Sequence, residues 1–119
     1  MKVEVSNGEI IDKYTILLIK EKKILDSIKN KNIKYELSLL KTLIELINID
    51  QNHIDELFEI NTKLWNIEED IRIKEKNNEF DAIFIDLARS VYKVNTLRYV
   101  AKQKINEITN SAIKEEKSH

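Results

Sequence analysis

NHIDELFEINTKLWNIEEDIRIKEK, residues 52–76, decides the architecture. At 3.6 residues per turn, Ile54, Leu57, Leu64 and Ile71 fall along one stripe, with Ile60, Trp65 and Ile67 flanking it. Glu56 and Glu59 face the other way. The spacing predicts an amphipathic helix over 52–76, with Asp50 or Asn52 as its cap. Downstream, residues 77–80 turn the chain, Asn78 being a cap candidate, and a further helix over 81–113 carries Phe84, Leu87, Val91, Val94 and Ile105. Unbroken, it would be about 50 Å long. Upstream, Leu37, Leu40, Leu43, Ile44 and Ile47 mark a helix over 32–48. Leu39 and Leu46 widen its apolar face enough to touch two neighbours. A first helix over 8–29 carries Ile10, Tyr14, Leu17, Leu18, Ile24, Leu25 and Ile28, and residues 30–32 form the link to the second. Ser6 and Glu9 have the spacing of a capping box. Val3 and Val5 alternate with polar residues and read as a short strand or extended segment over 1–6. Residues 115–119 form a charged, frayed tail.

Composition agrees with helices. The chain of 119 residues has one Gly and no Pro, so it lacks the turn residues that a hairpin-built sheet needs. With 42% hydrophobic and 34% charged residues it is globular rather than disordered. The expectation is a single all-α domain, a four-helix antiparallel bundle with short connections. Helices as long as the last two would project from a compact monomer, which points to a homodimer.

The charge balance, 20 Lys plus Arg against 21 Asp plus Glu, provides no concentrated basic face, so nothing points to nucleic acid. Without Cys there is no disulfide, no thiolate nucleophile and no Cys-based metal site. No apolar run reaches membrane-spanning length, and the sequence reads as cytoplasmic. No Glu-x-x-His, Gly-x-Ser-x-Gly or glycine-rich phosphate loop occurs, and no metal or cofactor is implied. Glu56 and Glu59 supply half of the ExxE…ExxD magnesium signature of all-α nucleotide pyrophosphohydrolases, but the second half is absent. The first helix is superficially similar to the opening helix of all-α chorismate mutases, yet it carries Lys13, Lys20, Lys22 and Lys23 and no Arg. Arg89, Ser90, Tyr92 and Lys93 share a polar side of the last helix and could serve a protein partner.

Charge at core positions is the remaining signal. Asn61 and Glu68 repeat on the apolar stripe of the third helix at a seven-residue interval, with Arg72 beside them. Glu21 sits among the apolar positions of the first helix. Arg98 falls in the middle of the stripe of the last, with Asn95 close by. An unpaired buried ion costs on the order of several kcal/mol, so these groups must pair, reach water or hold a ligand. Two of the three arginines belong to this set, and Arg suits bidentate pairing. Glu21, Asn61, Glu68, Arg72, Asn95 and Arg98 are therefore the candidate ligand site or buried polar cluster, with the arginines as a clamp for an anionic metabolite. The competing reading makes them a device fixing register and oligomeric state, with no ligand.

Three segments carry a resemblance: Glu4-Val5-Ser6-Asn7-Gly8-Glu9 with Asp12-Lys13; Leu64 through Arg72; and Phe80-Asp81 through Leu87-Ala88-Arg89-Ser90-Val91-Tyr92. Ile105-Asn106-Glu107 and Glu115-Glu116-Lys117-Ser118 extend it. Together they resemble a family of small uncharacterised all-helical proteins of bacteria and phages. The resemblance implies no defined activity and carries no catalytic residue over. It implies a gene neighbourhood of surface-polysaccharide and glycosyltransferase functions, hence an accessory or interaction protein.

Overall fold

The computed structural model describes residues 5–110. Four helices follow one another: α1 (Asn7–Lys23), α2 (Ser27–Ile47), α3 (Gln51–Lys76) and α4 (Ala82–Ile108). No strand occurs among the described residues. The strand expected at the start falls on residues 1–4, outside the described ones, and on Val5, which is exposed and belongs to no element. α4 ends at Ile108 with Thr109 as its cap, five residues before the expected end at 113, and the tail 115–119 lies outside the described residues.

Local chemistry sets each boundary. Ser6 Oγ accepts the Glu9 N–H at 3.1 Å, which is half of the expected capping box. The other half is not made as expected, because the Glu9 carboxylate binds Lys102 of α4 instead. α1 ends at Lys23, six residues before the expected end at 29. The cause is Asp26, whose Oδ1 accepts the Ile28 and Lys29 N–H groups at 3.0 Å each and starts α2. The link is thus 24–26, not 30–32. Asn30, expected in that link, donates Nδ2 to the Glu21 and Ile24 carbonyls at 3.1 and 3.3 Å. It thereby satisfies acceptors that the end of α1 leaves open. α2 stops at Asn48, whose φ of 57° is the left-handed conformation Asn tolerates better than other side-chain-bearing residues.

At the α3–α4 turn, Lys74 Nζ bonds Glu79 and Asp81 at 3.0 Å each, and Asp81 Oδ1 caps the Phe84 N–H at 3.0 Å. The Phe84 N–H, followed by Lys74, holds the Asp81 carboxyl below its usual range. Glu79 and then Asp81 push the Lys74 ammonium up.

α1 is the hub, in contact with all three other helices, and α3 packs against α4. The α1–α3–α4 core centres on Ile11, Ile54, Leu57, Ala101 and Ile105, with Tyr14, Ile44, Ile49 and Ile60 at its margin. Each fully buried Leu or Ile contributes roughly 1.5–3 kcal/mol. α2 lies along α1 through a smaller cluster of Leu17, Ile33 and Leu37. The second neighbour expected for α2 is not among the described helices: Leu39 is 52% and Leu46 79% exposed.

The single glycine has a packing role. A Cβ on Gly8 would lie 2.6 Å from the Lys102 carbonyl oxygen and 3.0 Å from Asn106 Oδ1. Only a residue without a side chain lets the start of α1 approach α4 this closely.

Candidate functional site

The close approach at Gly8 opens a ladder of polar contacts between α1 and α4. The Gly8 N–H donates to Asn106 Oδ1 at 2.7 Å. One turn on, Lys102 Nζ binds the Glu9 carboxylate and stands 4.0 Å from Asp12. Next comes Asp12, whose side chain is 3% exposed. Arg98 grips it with two donors, Nε to Oδ1 at 2.9 Å and Nη2 to Oδ2. From α3, Asn61 donates Nδ2 to Asp12 Oδ1 at 2.9 Å and to Thr15 Oγ1 at 2.8 Å. Thr15 in turn donates to the Asp12 carbonyl at 2.8 Å. Residues 8, 12 and 15 share a face of α1, and 98, 102 and 106 share a face of α4, because four-residue steps nearly complete a turn.

Two carboxylates, Glu9 and Asp12, face two cations, Arg98 and Lys102, so the ladder is close to neutral. Both Asp12 oxygens are engaged, which makes it an anchor rather than a base ready for proton abstraction. The arrangement ties α1, α3 and α4 together.

The six expected residues are divided by the structure. Asn61 is buried and Arg98 partly so, and both bond Asp12, which stands where Glu21 was expected. Glu21 is half-buried, and its backbone carbonyl binds Asn30. Arg72 and Asn95 are exposed and stand outside the ladder. Glu68 is exposed too, yet it lines a cavity of about 180 Å³ that Asn61 and Arg98 also line. Trp65, Leu64 and two α1 residues, Ile16 and Ile19, complete its wall. The indole Nε1 of Trp65 is shielded from solvent and has no hydrogen-bond partner. A buried donor left unpaired costs about 1–3 kcal/mol.

Sequence reasoning missed Glu9, Asp12, Thr15, Lys102 and Asn106. The four-residue spacing of Arg98, Lys102 and Asn106 was the available signal. A wider groove of about 530 Å³ runs between α1 and α2, lined by Lys13, Lys20, Lys29 and Glu36 over Ile16 and Ile33. Glu56, Glu59 and Lys93 lie on exposed surface. Among the described residues, no three His, Cys, Asp or Glu side chains gather as a metal site would require. No described helix is long and apolar enough to cross a membrane.

Fold and ladder together define an all-α protein whose three-helix core is pinned by a buried ion-pair network, with a fourth helix laid outside. Over residues 1–119 the chain matches the model described as "Family of unknown function (DUF6165)", and it belongs to that family. Searches of the curated proteins and of the solved structures give no match.

Proposed function

We propose that this is a cytoplasmic, non-enzymatic interaction protein that works as a homodimer joined through the outer face of α2. The observation that carries the reading is the row Ile28, Tyr35, Leu39 and Leu46, exposed by 74%, 66%, 52% and 79%. This row lies opposite Ile33 and Leu37, which face α1, so α2 is apolar on two sides. Its intervals of seven, four and seven residues read the same in both directions. A second copy laid antiparallel about a two-fold axis near Leu37 sets Ile28 against Leu46 and Tyr35 against Leu39 twice over. That self-complementarity is what an isologous interface requires.

Charge supports the same register. Lys31 and Glu45, both exposed, lie on one flank of the row, and the antiparallel arrangement brings each near the other on the second copy. A parallel two-fold pair would put this flank of the two copies on opposite sides of the interface and forgo the Lys31–Glu45 contacts. The gene neighbourhood implied by the resemblance makes surface-polysaccharide assembly the process in which to seek a further protein partner.

Sedimentation equilibrium tests the proposal. The wild type is expected at twice the 14.1 kDa chain mass, and Leu39→Glu at the chain mass with its helical circular dichroism retained. Position 39 is half-exposed in the single chain, so Glu costs the fold little while placing two like charges at the centre of the pair. A monomeric wild type, or a Leu39→Glu variant as dimeric as the wild type, refutes it.

A further inference from the structure

We infer that Asn7 is a site of spontaneous covalent modification, deamidation through the Gly8 backbone nitrogen, and that the contact between α1 and α4 holds it back. This does not rest on the outer face of α2. The chemistry begins with the pair itself. An asparagine side chain is open to attack by the backbone nitrogen of the next residue, and glycine, with no side chain, obstructs that attack least. The chain has one glycine, and an asparagine precedes it.

The reaction needs only water. The Gly8 nitrogen gives its proton to solvent and forms a bond to Asn7 Cγ; the Cγ–Nδ2 bond then breaks and ammonia leaves. A five-membered succinimide joins residues 7 and 8. Water opens it at either carbonyl. Cleavage at Cγ leaves aspartate, whereas cleavage of the original peptide bond leaves isoaspartate, with the backbone rerouted through the side chain.

The folded structure obstructs each requirement. The nucleophile is held, because the buried Gly8 N–H donates to Asn106 Oδ1 at 2.7 Å. The leaving group is held too, Asn7 Nδ2 donating to Thr109 Oγ1 at 3.0 Å. Asn7 is the first residue of α1, and attack requires its ψ to rotate away from the helical value of about −42°. The cradle on α4 leaves little room for that rotation, since a Cβ on Gly8 would already stand 2.6 Å from the Lys102 carbonyl oxygen. All of these restraints come from residues 102–109. Modification therefore requires the first turn of α1 to leave α4, and its rate follows how often that opening occurs.

The products do not close again as well. Isoaspartate adds one backbone atom between positions 7 and 8 and carries Gly8 out of its cradle. Aspartate replaces a donor by an acceptor opposite Thr109 Oγ1, whose own proton goes to the Ile105 carbonyl at 2.7 Å. Deamidation is thus a one-way exit from the closed state.

The test incubates the purified protein in warm, mildly alkaline buffer with and without guanidinium chloride, and follows position 7 by peptide mass spectrometry. In the denatured chain Asn7 is expected to convert before every other asparagine, and in the native protein at least ~10-fold more slowly. Asn106→Ala removes the acceptor of the Gly8 N–H, and Thr109→Val removes that of Asn7 Nδ2 at a half-buried position. Each is expected to keep its helical circular dichroism and to convert roughly 5-fold faster than the native wild type, the factor for one lost hydrogen bond. Modified protein, separated by ion exchange, is expected to unfold at a lower temperature than unmodified protein. The proposal is overturned if the native protein converts as fast as the denatured chain, or if another asparagine converts first in the denatured chain. It is equally overturned if neither variant converts faster than the wild type, or if modified and unmodified protein unfold at the same temperature.

Discussion

Replacing Asp12 by Ala removes the acceptor on which α1, α3 and α4 converge. The carboxylate takes Arg98 Nε at 2.9 Å, Arg98 Nη2 and Asn61 Nδ2 at 2.9 Å, with Lys102 4.0 Å away. Breaking a buried ion pair from one side costs about 3–5 kcal/mol. Arg98 is 28% exposed and recovers some hydration when its partner is lost, which places the loss near the lower end, about 3 kcal/mol. For 119 residues the unfolding entropy is about 0.25 kcal/mol/K, so Tm should fall by roughly 12 °C. Thermal and urea unfolding followed by circular dichroism measure this directly. The double variant Asp12→Leu/Arg98→Met removes both charges and leaves hydrocarbon in their place, and it should recover at least half of the loss. A fall in Tm below about 4 °C for Asp12→Ala, equivalent to ~1 kcal/mol, would refute the assignment of Asp12 as the anchor. A double variant that loses the full sum of the single losses would show that the two charges are not coupled.

Gly8→Ala should destabilise the protein by about 1–2 kcal/mol in urea unfolding. Overpacking of ~1–3 kcal/mol against the Lys102 carbonyl outweighs a helix-propensity gain of ~0.5–1 kcal/mol. An increase in stability would mean that α1 and α4 are not so closely apposed. Asp81→Asn retains a capping side chain but removes the charge that Lys74 and the Phe84 N–H stabilise. The folded Asp81 pKa lies below 3.8, so its contribution is fully present above the unfolded value and is lost as pH falls through the folded one. The Tm difference between wild type and Asp81→Asn should therefore be present at pH 7 and shrink as the pH falls below 3.8.

The helices were legible where apolar residues marked the buried side. On α3, Ile54, Leu57 and Leu64 face the core as their spacing requires, and Asn61, caught between them, was correctly read as buried. Arg98 was legible on α4 for the same reason. α1 misleads, because the face it turns to α3 and α4 is Gly8, Ile11, Asp12, Thr15 and Ile19, of which only the two Ile announce themselves by hydrophobicity, while Leu17 is buried on the α2 side as its spacing requires. A stripe drawn through Ile10, Tyr14 and Leu18 is turned away from the ladder and leads to Glu21 rather than to Asp12. Arg72 stands one residue, about 100°, from half-buried Ile71, and that rotation carries it to the surface. Asn95 stands one residue, about 100°, from buried Val94, and that rotation carries it to the surface. The reassignment of residues 24–32 turned on Asp26, a capping residue lying inside an otherwise continuous apolar pattern.

The Gly8–Asn106 bond spans 98 residues, and Asn7 donates to Thr109 Oγ1 across 102. The α1–α2 hairpin is complete once residue 47 has been synthesised, but the counterpart of the first turn of α1 lies at 106–109. On the ribosome, α1 therefore emerges with Asp12 and Gly8 presented to water and must wait for α4 before they are covered. Closure is a long-range step that carries the entropy of a loop of 98 residues. Its rate should depend on how well α2 holds α1 in the interval. An outer helix that adds little to the three-helix core thus acquires a temporal role, as the early partner that keeps α1 helical until α4 arrives.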